Sequence, residues 1–224
     1  MTAEMAEQPE VLARLVARRG EILAAARERV GSGELAGIVI VARGSSNYAA
    51  VYGRYVLEMH ARRPVTLAAP SLFTHYGART PMGGWLAVAI SQSGRTPEIT
   101  RVADALRNEG ATTIAITNDA DSPLAQTADW TLALEAGEER AVPATKTMTA
   151  QIAAVALLAE ALGNTAWPDE RWAAAIDAVR AVLDDGEPGT VRAQQLALAL
   201  ALGRGLDPDA PAGLRKVTRP ERQA

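Results

Sequence analysis

The sequence predicts an α/β protein, a three-layer sandwich with a mainly parallel, five-stranded flavodoxin-like sheet between layers of helices. Short apolar runs such as Gly-Ile-Val-Ile-Val-Ala at residues 37–42 show no polar alternation, which is typical of strands buried on both faces. Segments with apolar residues at helical spacing separate these runs. The 224 residues are enough for one large domain with a substantial core.

The strands are predicted from these apolar runs and from the turn-forming residues that follow them. The first run ends in Arg-Gly-Ser-Ser-Asn and the third in Ser-Gln-Ser-Gly-Arg-Thr. The predicted strands cover residues 37–42, 64–69, 85–90, 112–117 and 130–134. Ligands of such sheets lie beyond the carboxyl ends of the strands, so we expect functional residues in the loops that follow them.

The helices are predicted where apolar residues recur every three or four positions. The first helix runs from Pro9, a residue suited to a first helical turn, to Val30. The second ends near Ala61, and its expected buried side consists of Tyr48, Tyr52, Tyr55, Val56 and Met59. Gly110 ends the third helix, 97–109. The remaining helices cover 147–162, which is almost wholly apolar, and 169–184.

Composition excludes several classes of function. The 23 basic and 26 acidic residues give a formal net charge of −3, so a nucleic-acid partner is not expected. The absence of cysteine excludes disulfides and thiol catalysis, and with only two histidines we expect no metal and no cofactor. No apolar run is long enough to span a bilayer, and residues 1–10 do not resemble a signal peptide, which predicts a cytoplasmic protein that does not bind membranes.

Two hydroxyl-rich clusters follow the first and third predicted strands, and each opens a helix. The first cluster contains Gly44, Ser45 and Ser46, and the second contains Ser91, Gln92, Ser93 and Thr96. A helix N-terminus offers unpaired amides and a partial positive charge, and short hydroxyl side chains can add donors to an anion. Helix capping alone would also favour serine and threonine here. Because three hydroxyls occur within six residues, we favour a phosphate-binding site.

A third segment, residues 138–147, joins the fifth strand to the apolar helix. Its cations, Arg140 and Lys146, could neutralise an anionic ligand or be ordinary surface charges. Thr145 or Thr147 is a candidate cap of the helix that follows. No role is assigned to His75, a lone histidine in a loop.

The three segments, taken in order, resemble the sugar-phosphate loops of the sugar isomerase (SIS) domain family. They read Ala-Arg-Gly-Ser-Ser-Asn-Tyr-Ala-Ala at 42–50, Ser-Gln-Ser-Gly-Arg-Thr-Pro at 91–97, and Val-Pro-Ala-Thr-Lys-Thr-Met-Thr-Ala-Gln at 142–151. They most resemble the first SIS copy in the isomerase half of glutamine–fructose-6-phosphate aminotransferase and in related glucosamine-6-phosphate deaminases and isomerases. The resemblance covers about residues 4–205, including the lead-in Glu-Met-Ala-Glu-Gln-Pro at 4–9.

This resemblance implies a role for each loop. The residues that would hold the phosphate are Ser91, Gln92, Ser93 and Thr96, and those that would contact the sugar and its phosphate are Gly44, Ser45 and Ser46. The backbone at Val142 would meet the sugar hydroxyls. The sequence departs from the aminotransferase at Arg95, where an acidic residue is usual, and at Ala144, where a serine is usual. The aminotransferase also carries a glutaminase domain with an N-terminal cysteine, which is absent here. The Arg-Thr-Pro-Glu variant at 95–98 looks closer to stand-alone isomerases and deaminases.

The predicted organisation is an N-terminal helix (1–34), a first SIS copy (35–165), a helix and linker (166–189), and the start of an incomplete second copy with a tail (190–224). Alternating Leu and Ala at 196–202, followed by Gly-Arg-Gly, repeats the pattern of the first strand. A plain helix with a frayed tail is the alternative. In the family, the catalytic base and the ring-opening group lie in the second copy, so we expect this chain to be the binding half of a truncated enzyme.

Two functions are therefore considered. One is sugar-phosphate binding as part of an amino-sugar-phosphate isomerase or deaminase that interconverts glucosamine 6-phosphate and fructose 6-phosphate; the other is a stand-alone module that senses a sugar phosphate. The ligand in both is a phosphorylated hexose or hexosamine, and the family resemblance implies a homodimer. The nearest carboxylates, Glu98 and Glu139, are expected to be a first-turn helix residue and a solvated loop charge.

Overall fold

A computed structural model describes residues 1–31, 35–163 and 166–185. The strands are β1 Gly37–Ala42, β2 Val65–Leu67, β3 Trp85–Ile90, β4 Thr112–Thr117 and β5 Trp130–Ala133. They form one all-parallel sheet in the order β2-β1-β3-β4-β5, which confirms the predicted flavodoxin-like fold. The two edge strands, β2 and β5, are shorter than predicted. The strand expected over 196–202 lies outside the described residues.

Helices cover both faces of the sheet. They are α1 Thr2–Ala6, α2 Gln8–Ala17, α3 Arg19–Val30, α4 Ser46–Ala61, α5 Pro70–Thr74, α6 Pro97–Asn108, α7 Pro123–Thr127, α8 Lys146–Leu162 and α9 Asp169–Asp185. Ile38 and Ile40 of β1 pack into a core with α2, α3, α4 and α8, whereas Val39 and Val41 pack into a second core with α6. The sheet is therefore buried on both sides. Among the helices described, none is long and apolar enough to cross a membrane.

The predicted single helix over 9–30 is wrong, because the N-terminal segment forms three helices that begin at Thr2. The breaks fall at Glu7 and at Arg18, whose φ and ψ are −90° and 6°. Arg18 donates a hydrogen bond to the carbonyl of Ala133 (3.2 Å) at the end of β5. The adjacent Arg19 instead binds Glu160 in α8. Tertiary contacts of two neighbouring arginines thus outweigh the continuous helical pattern.

The predicted buried side of α4 is correct at Val56 but wrong at its three tyrosines and Met59. Tyr48 and Tyr55 are each 68% exposed and Met59 is 66% exposed. The face that packs inward is made of small residues and two aliphatic ones: Ser46, Ala49, Ala50, Gly53, Val56 and Leu57. A Cβ at Gly53 would lie 2.9 Å from Val155 Cγ1 in α8 and 3.1 Å from Ile40 Cδ1 in β1, so α4 approaches both elements too closely for a large side chain. The aromatic side chains consequently face outward.

Glu160, which is completely buried in α8, holds two further helices against it. Its carboxylate accepts hydrogen bonds from Arg19 of α3 (2.9 Å), from the amide of Trp167 (2.8 Å) and from the indole of Trp172 in α9 (3.3 Å). Burial raises the pKa of Glu160, but these hydrogen bonds and the Arg19 charge outweigh it, so the pKa lies below its ordinary value. Glu160 therefore stays ionised while buried.

Candidate functional site

The candidate site lies at the ends of two neighbouring strands whose following helices pack on opposite faces of the sheet. β1 and β3 are neighbours, paired from Gly37 opposite Trp85 to Ala42 opposite Ile90. The helix after β1, α4, packs on one face of the sheet, and the helix after β3, α6, packs on the other. In sheets with this topology the usual ligand position is the crevice beyond the carboxyl ends of the two strands whose helices diverge, here β1 and β3.

Two loops border this crevice: the first loop, residues 43–46, and the second loop, residues 91–96. Arg43 Nε lies 2.9 Å from Glu98 Oε2 in the first turn of α6, which shows that the two loops are adjacent. The seven predicted phosphate and sugar contacts in these loops are therefore brought to one place: Gly44, Ser45, Ser46, Ser91, Gln92, Ser93 and Thr96. Glu98 is a first-turn residue of α6, as expected.

The hydroxyls of these loops are not used to cap the helices. Ser45 and Thr96 occupy the N-cap positions of α4 and α6, but neither side chain makes a capping hydrogen bond. Thr96 Oγ1 instead lies 3.5 Å from Ser91 Oγ, and Ser93 Oγ accepts from the Arg95 amide at 3.2 Å. Capping therefore does not account for the hydroxyls at these two helix starts.

The backbone of the second loop is held from the far side by the end of β4 and by α7. The carbonyl of Gln92 accepts from the amide of Asn118 at 3.0 Å, and the carbonyl of Gly94 accepts from the amide of Leu124 at 3.0 Å. Gly94 has a φ of +61°, and a Cβ there would lie 2.0 Å from Ser122 Oγ. Only glycine fits this position, so the sequence supplies the residue that the loop conformation requires.

The third helix start, that of α8, differs from the other two because an internal carboxylate occupies it. Glu139 is buried, and its Oε1 accepts from the amide of Thr145 (2.8 Å), from the Thr145 hydroxyl (3.2 Å) and from the amide of Thr147 (3.3 Å). Its Oε2 accepts from the Thr147 hydroxyl. The expectation of a solvated Glu139 is therefore wrong. Thr145 is the N-cap residue, but the cap itself is supplied by Glu139.

The predicted cations of the third segment are both paired with carboxylates. Lys146 is buried, and its Nζ lies 2.6 Å from Glu7 Oε2 at the α1–α2 junction. Arg140 is exposed and pairs with Glu138 at 2.8 Å. Val142 is half-buried in the third loop, which we define as residues 134–145 between β5 and α8. His75 is exposed at the C-terminus of α5.

Sequence reasoning missed Asn118, which ties the third loop to the sheet. Its side chain donates to the carbonyl of Gly137 at 2.7 Å and accepts from the amide of Ala136 at 2.8 Å. Its own amide also bonds to Gln92 of the second loop. An asparagine directly after a buried strand was the available signal, but it carries no charge and belongs to none of the three hydroxyl-rich or basic segments.

Comparison with known proteins gives a consistent result. The sequence pattern of the SIS domain matches residues 36–161. Two proteins named glutamine–fructose-6-phosphate aminotransferase (isomerizing) are similar: that of Halobacterium salinarum is 39% identical over 58% of this chain, and that of Symbiobacterium thermophilum is 36% identical over 73%. A solved protein of Silicibacter pomeroyi, provisionally named a phosphosugar isomerase, is 32% identical with a TM-score of 0.70 over 82% of this chain.

The relatives are longer than this chain. The chain spans 22% of the Halobacterium protein and 28% of the Symbiobacterium protein. It spans 55% of the solved Silicibacter chain. What is shared is therefore one part of each relative.

The close packing of the second loop can be tested with Gly94→Ala. A left-handed backbone costs a residue other than glycine about 1–2 kcal/mol, and here the methyl group would also overlap Ser122. Gly77→Ala is the matched control, because Gly77 has a φ of +60° in open space. Thermal unfolding should show a larger loss for Gly94→Ala than for Gly77→Ala. Equal losses would mean that contact with Ser122 does not shape the loop.

Proposed function

The chain belongs to the SIS-domain family, and on that premise we propose that its first and second loops bind the phosphate group of a phosphorylated hexose or hexosamine. The observation that carries this proposal is that two hydroxyl-lined helix starts face one crevice and use none of their N-cap hydroxyls for capping. A phosphate there would accept from hydroxyls and from helix amides together.

The second loop supplies the main phosphate contacts in this proposal. Ser91, Ser93 and Thr96 provide hydroxyls, Gln92 provides an amide, and the start of α6 provides backbone donors and a partial positive charge. Gly44, Ser45 and Ser46 complete the site from the first loop. The nearby cations Arg43 and Arg95 are paired with Glu98 and Asp119. Attraction of the anion therefore depends chiefly on hydroxyls and helix amides.

The sugar ring would extend from the phosphate towards the third loop, where the Val142 backbone would meet its hydroxyls. Glu139 already occupies the start of α8, so a second anion is disfavoured there. Lys146 was predicted to contact substrate, but its ammonium is bonded to Glu7. We propose that Lys146 affects sugar binding indirectly, by helping to hold the third loop in place through its ion pair with Glu7.

For the wider reaction, we propose that this region forms part of an amino-sugar-phosphate isomerase or deaminase that interconverts glucosamine 6-phosphate and fructose 6-phosphate. The names of the similar aminotransferases support this class. Within the described residues, neither Glu98 nor Glu139 is placed as a base: Glu98 pairs with Arg43, and Glu139 is bonded to two threonines. The base would then come from elsewhere in the complete enzyme.

A cytoplasmic location stays a prediction.

We further propose that the chain forms a homodimer through the outward face of α4. Among the described residues, this face carries the exposed side chains of Tyr48, Tyr52, Tyr55 and Met59, and Val51 extends it. Contiguous exposed aromatic and aliphatic side chains are typical of protein contact surfaces. Burying them against a second copy would remove their apolar surface from water.

The phosphate site is tested by Ser93→Ala. Loss of one hydrogen bond to a charged group costs about 1.5–3 kcal/mol, so glucosamine 6-phosphate should bind about tenfold or more weakly in calorimetry. Thr66→Val, which removes an exposed hydroxyl from the edge strand β2, should leave the affinity unchanged. Unphosphorylated glucosamine should bind far more weakly than its 6-phosphate. Equal binding of the two sugars would contradict the assignment.

Binding without turnover is the expected behaviour of this chain alone, because proton transfer between C1 and C2 of the sugar needs a positioned base. We expect no glucose 6-phosphate from fructose 6-phosphate and no ammonia from glucosamine 6-phosphate. A two-copy SIS isomerase assayed in parallel is the positive control. Turnover that is lost in Glu98→Gln would contradict this expectation and make the chain a complete enzyme.

Self-association is tested by light scattering at micromolar concentration, where we expect the mass of a dimer. Tyr55→Glu places a charge on the outward face of α4 and should shift the protein to monomer. Arg101→Glu, an exposed change on α6 across the sheet, is the control and should leave the dimer intact. If the unsubstituted protein has the mass of a monomer, the proposed dimer is refuted.

A further inference from the structure

The third loop has no strand or helix of its own between β5 and α8. Its backbone amides therefore cannot be satisfied by a regular ladder, and its shape depends on side chains that reach it from other elements. Asn118 holds one end of this loop from the end of β4, and Glu139, itself a loop residue, holds the other end at the start of α8. The middle of the loop, directly before Val142, is held by a segment that is remote from it in the sequence.

That element is the N-terminal segment. Glu4 of α1 is 9% exposed, and its Oε1 accepts hydrogen bonds from the amides of Arg140 (2.5 Å) and Ala141 (3.4 Å). These are the two amides that immediately precede Val142 in the chain. A buried carboxylate thus fixes the backbone that leads into the residue proposed to meet the sugar.

The same segment makes two more contacts with the start of α8. Glu7 pairs with the buried ammonium of Lys146, and the side-chain oxygen of Gln8 accepts from the hydroxyl of Thr149. Together with Glu4, these residues form what we call the N-terminal clamp: Glu4, Glu7 and Gln8. Each member uses a polar side chain to hold the third loop or the helix that follows it.

Simple packing of α1 does not require this arrangement. Met5, buried beside Glu4, supplies an apolar contact, whereas burying a carboxylate is costly unless hydrogen bonds offset it. Burial raises the pKa of Glu4, but the two backbone hydrogen bonds and the nearby Met1 ammonium together outweigh it, so the pKa of Glu4 lies below its ordinary value. The carboxylate therefore remains ionised while it holds the loop.

We propose that the N-terminal clamp is a positioning element for sugar recognition, in which Glu4 sets the backbone at Val142 so that the site distinguishes a phosphorylated sugar from phosphate alone. This inference rests on the proposed function. The backbone hydrogen bonds that Glu4 accepts come from the third loop, so its effect is expected at the sugar end of the site. Selectivity for the sugar, and not affinity for phosphate, is what the clamp controls.

The experiment compares glucosamine 6-phosphate and inorganic phosphate as ligands of the full chain. Glu4→Ala removes the acceptor, and Glu4→Asp keeps the charge but shortens the side chain by one methylene. Both should bind glucosamine 6-phosphate about tenfold more weakly, as expected for the loss of a hydrogen bond, with unchanged affinity for inorganic phosphate. Glu4→Gln keeps an acceptor oxygen and should retain most of the sugar selectivity. Glu10→Ala, an exposed change on α2, is the control.

Three outcomes would overturn the inference. Equal weakening of both ligands, or unfolding of Glu4→Ala and Glu4→Asp in thermal scans, would show a structural role only. Sugar-phosphate binding that depends on Ser93 but is insensitive to Glu4 would refute the clamp and leave the proposed function standing. Absence of glucosamine 6-phosphate binding by the unsubstituted chain would refute both.

Discussion

The candidate site depends on the parallel pairing of β1 with β3. Because the connections after these strands diverge, α4 lies on one face of the sheet and α6 on the other, while their N-termini remain side by side. Close packing of Gly53 against α8 and β1 sets how deeply α4 is seated. The crevice and its hydroxyls are thus consequences of strand order and of helix packing below the site.

Buried carboxylates hold the irregular parts of the molecule. Glu160 binds α3 and α9 to α8, Glu139 caps the start of α8, and Glu4 holds the middle of the third loop. Each is buried, and each has several donors, which is the condition for keeping a charge inside a protein. As a result, the N-terminus of α8 is occupied by a carboxylate of the same chain, whereas the N-cap hydroxyls of α4 and α6 make no capping hydrogen bond.

The similarity to SIS proteins extends from the overall sheet to the loop motifs, and it concerns one part of longer relatives. In the function proposed above, this region would hold the phosphate and one side of the sugar. Glu98 is paired with Arg43 and Glu139 is bonded to two threonines, which suits fixed structure better than proton transfer. The outward aromatic face of α4 lies on the surface of the layer that covers the sheet, and it is the face through which we propose dimer formation.

The sequence by itself determined the five strands, the loop motifs and the glycine at position 94. An uninterrupted apolar run indicates a strand buried on both faces, and turn residues mark where that strand ends. Which side of α4 is buried was decided only by tertiary structure, since close approach to α8 selected small residues over Tyr48 and Tyr55. The break at Arg18, the burial of Glu139 and the contacts of Glu4 and Asn118 likewise depend on partners remote in the sequence. Periodicity cannot reveal them, because a polar side chain is recognised as buried only when the donors that satisfy it are known.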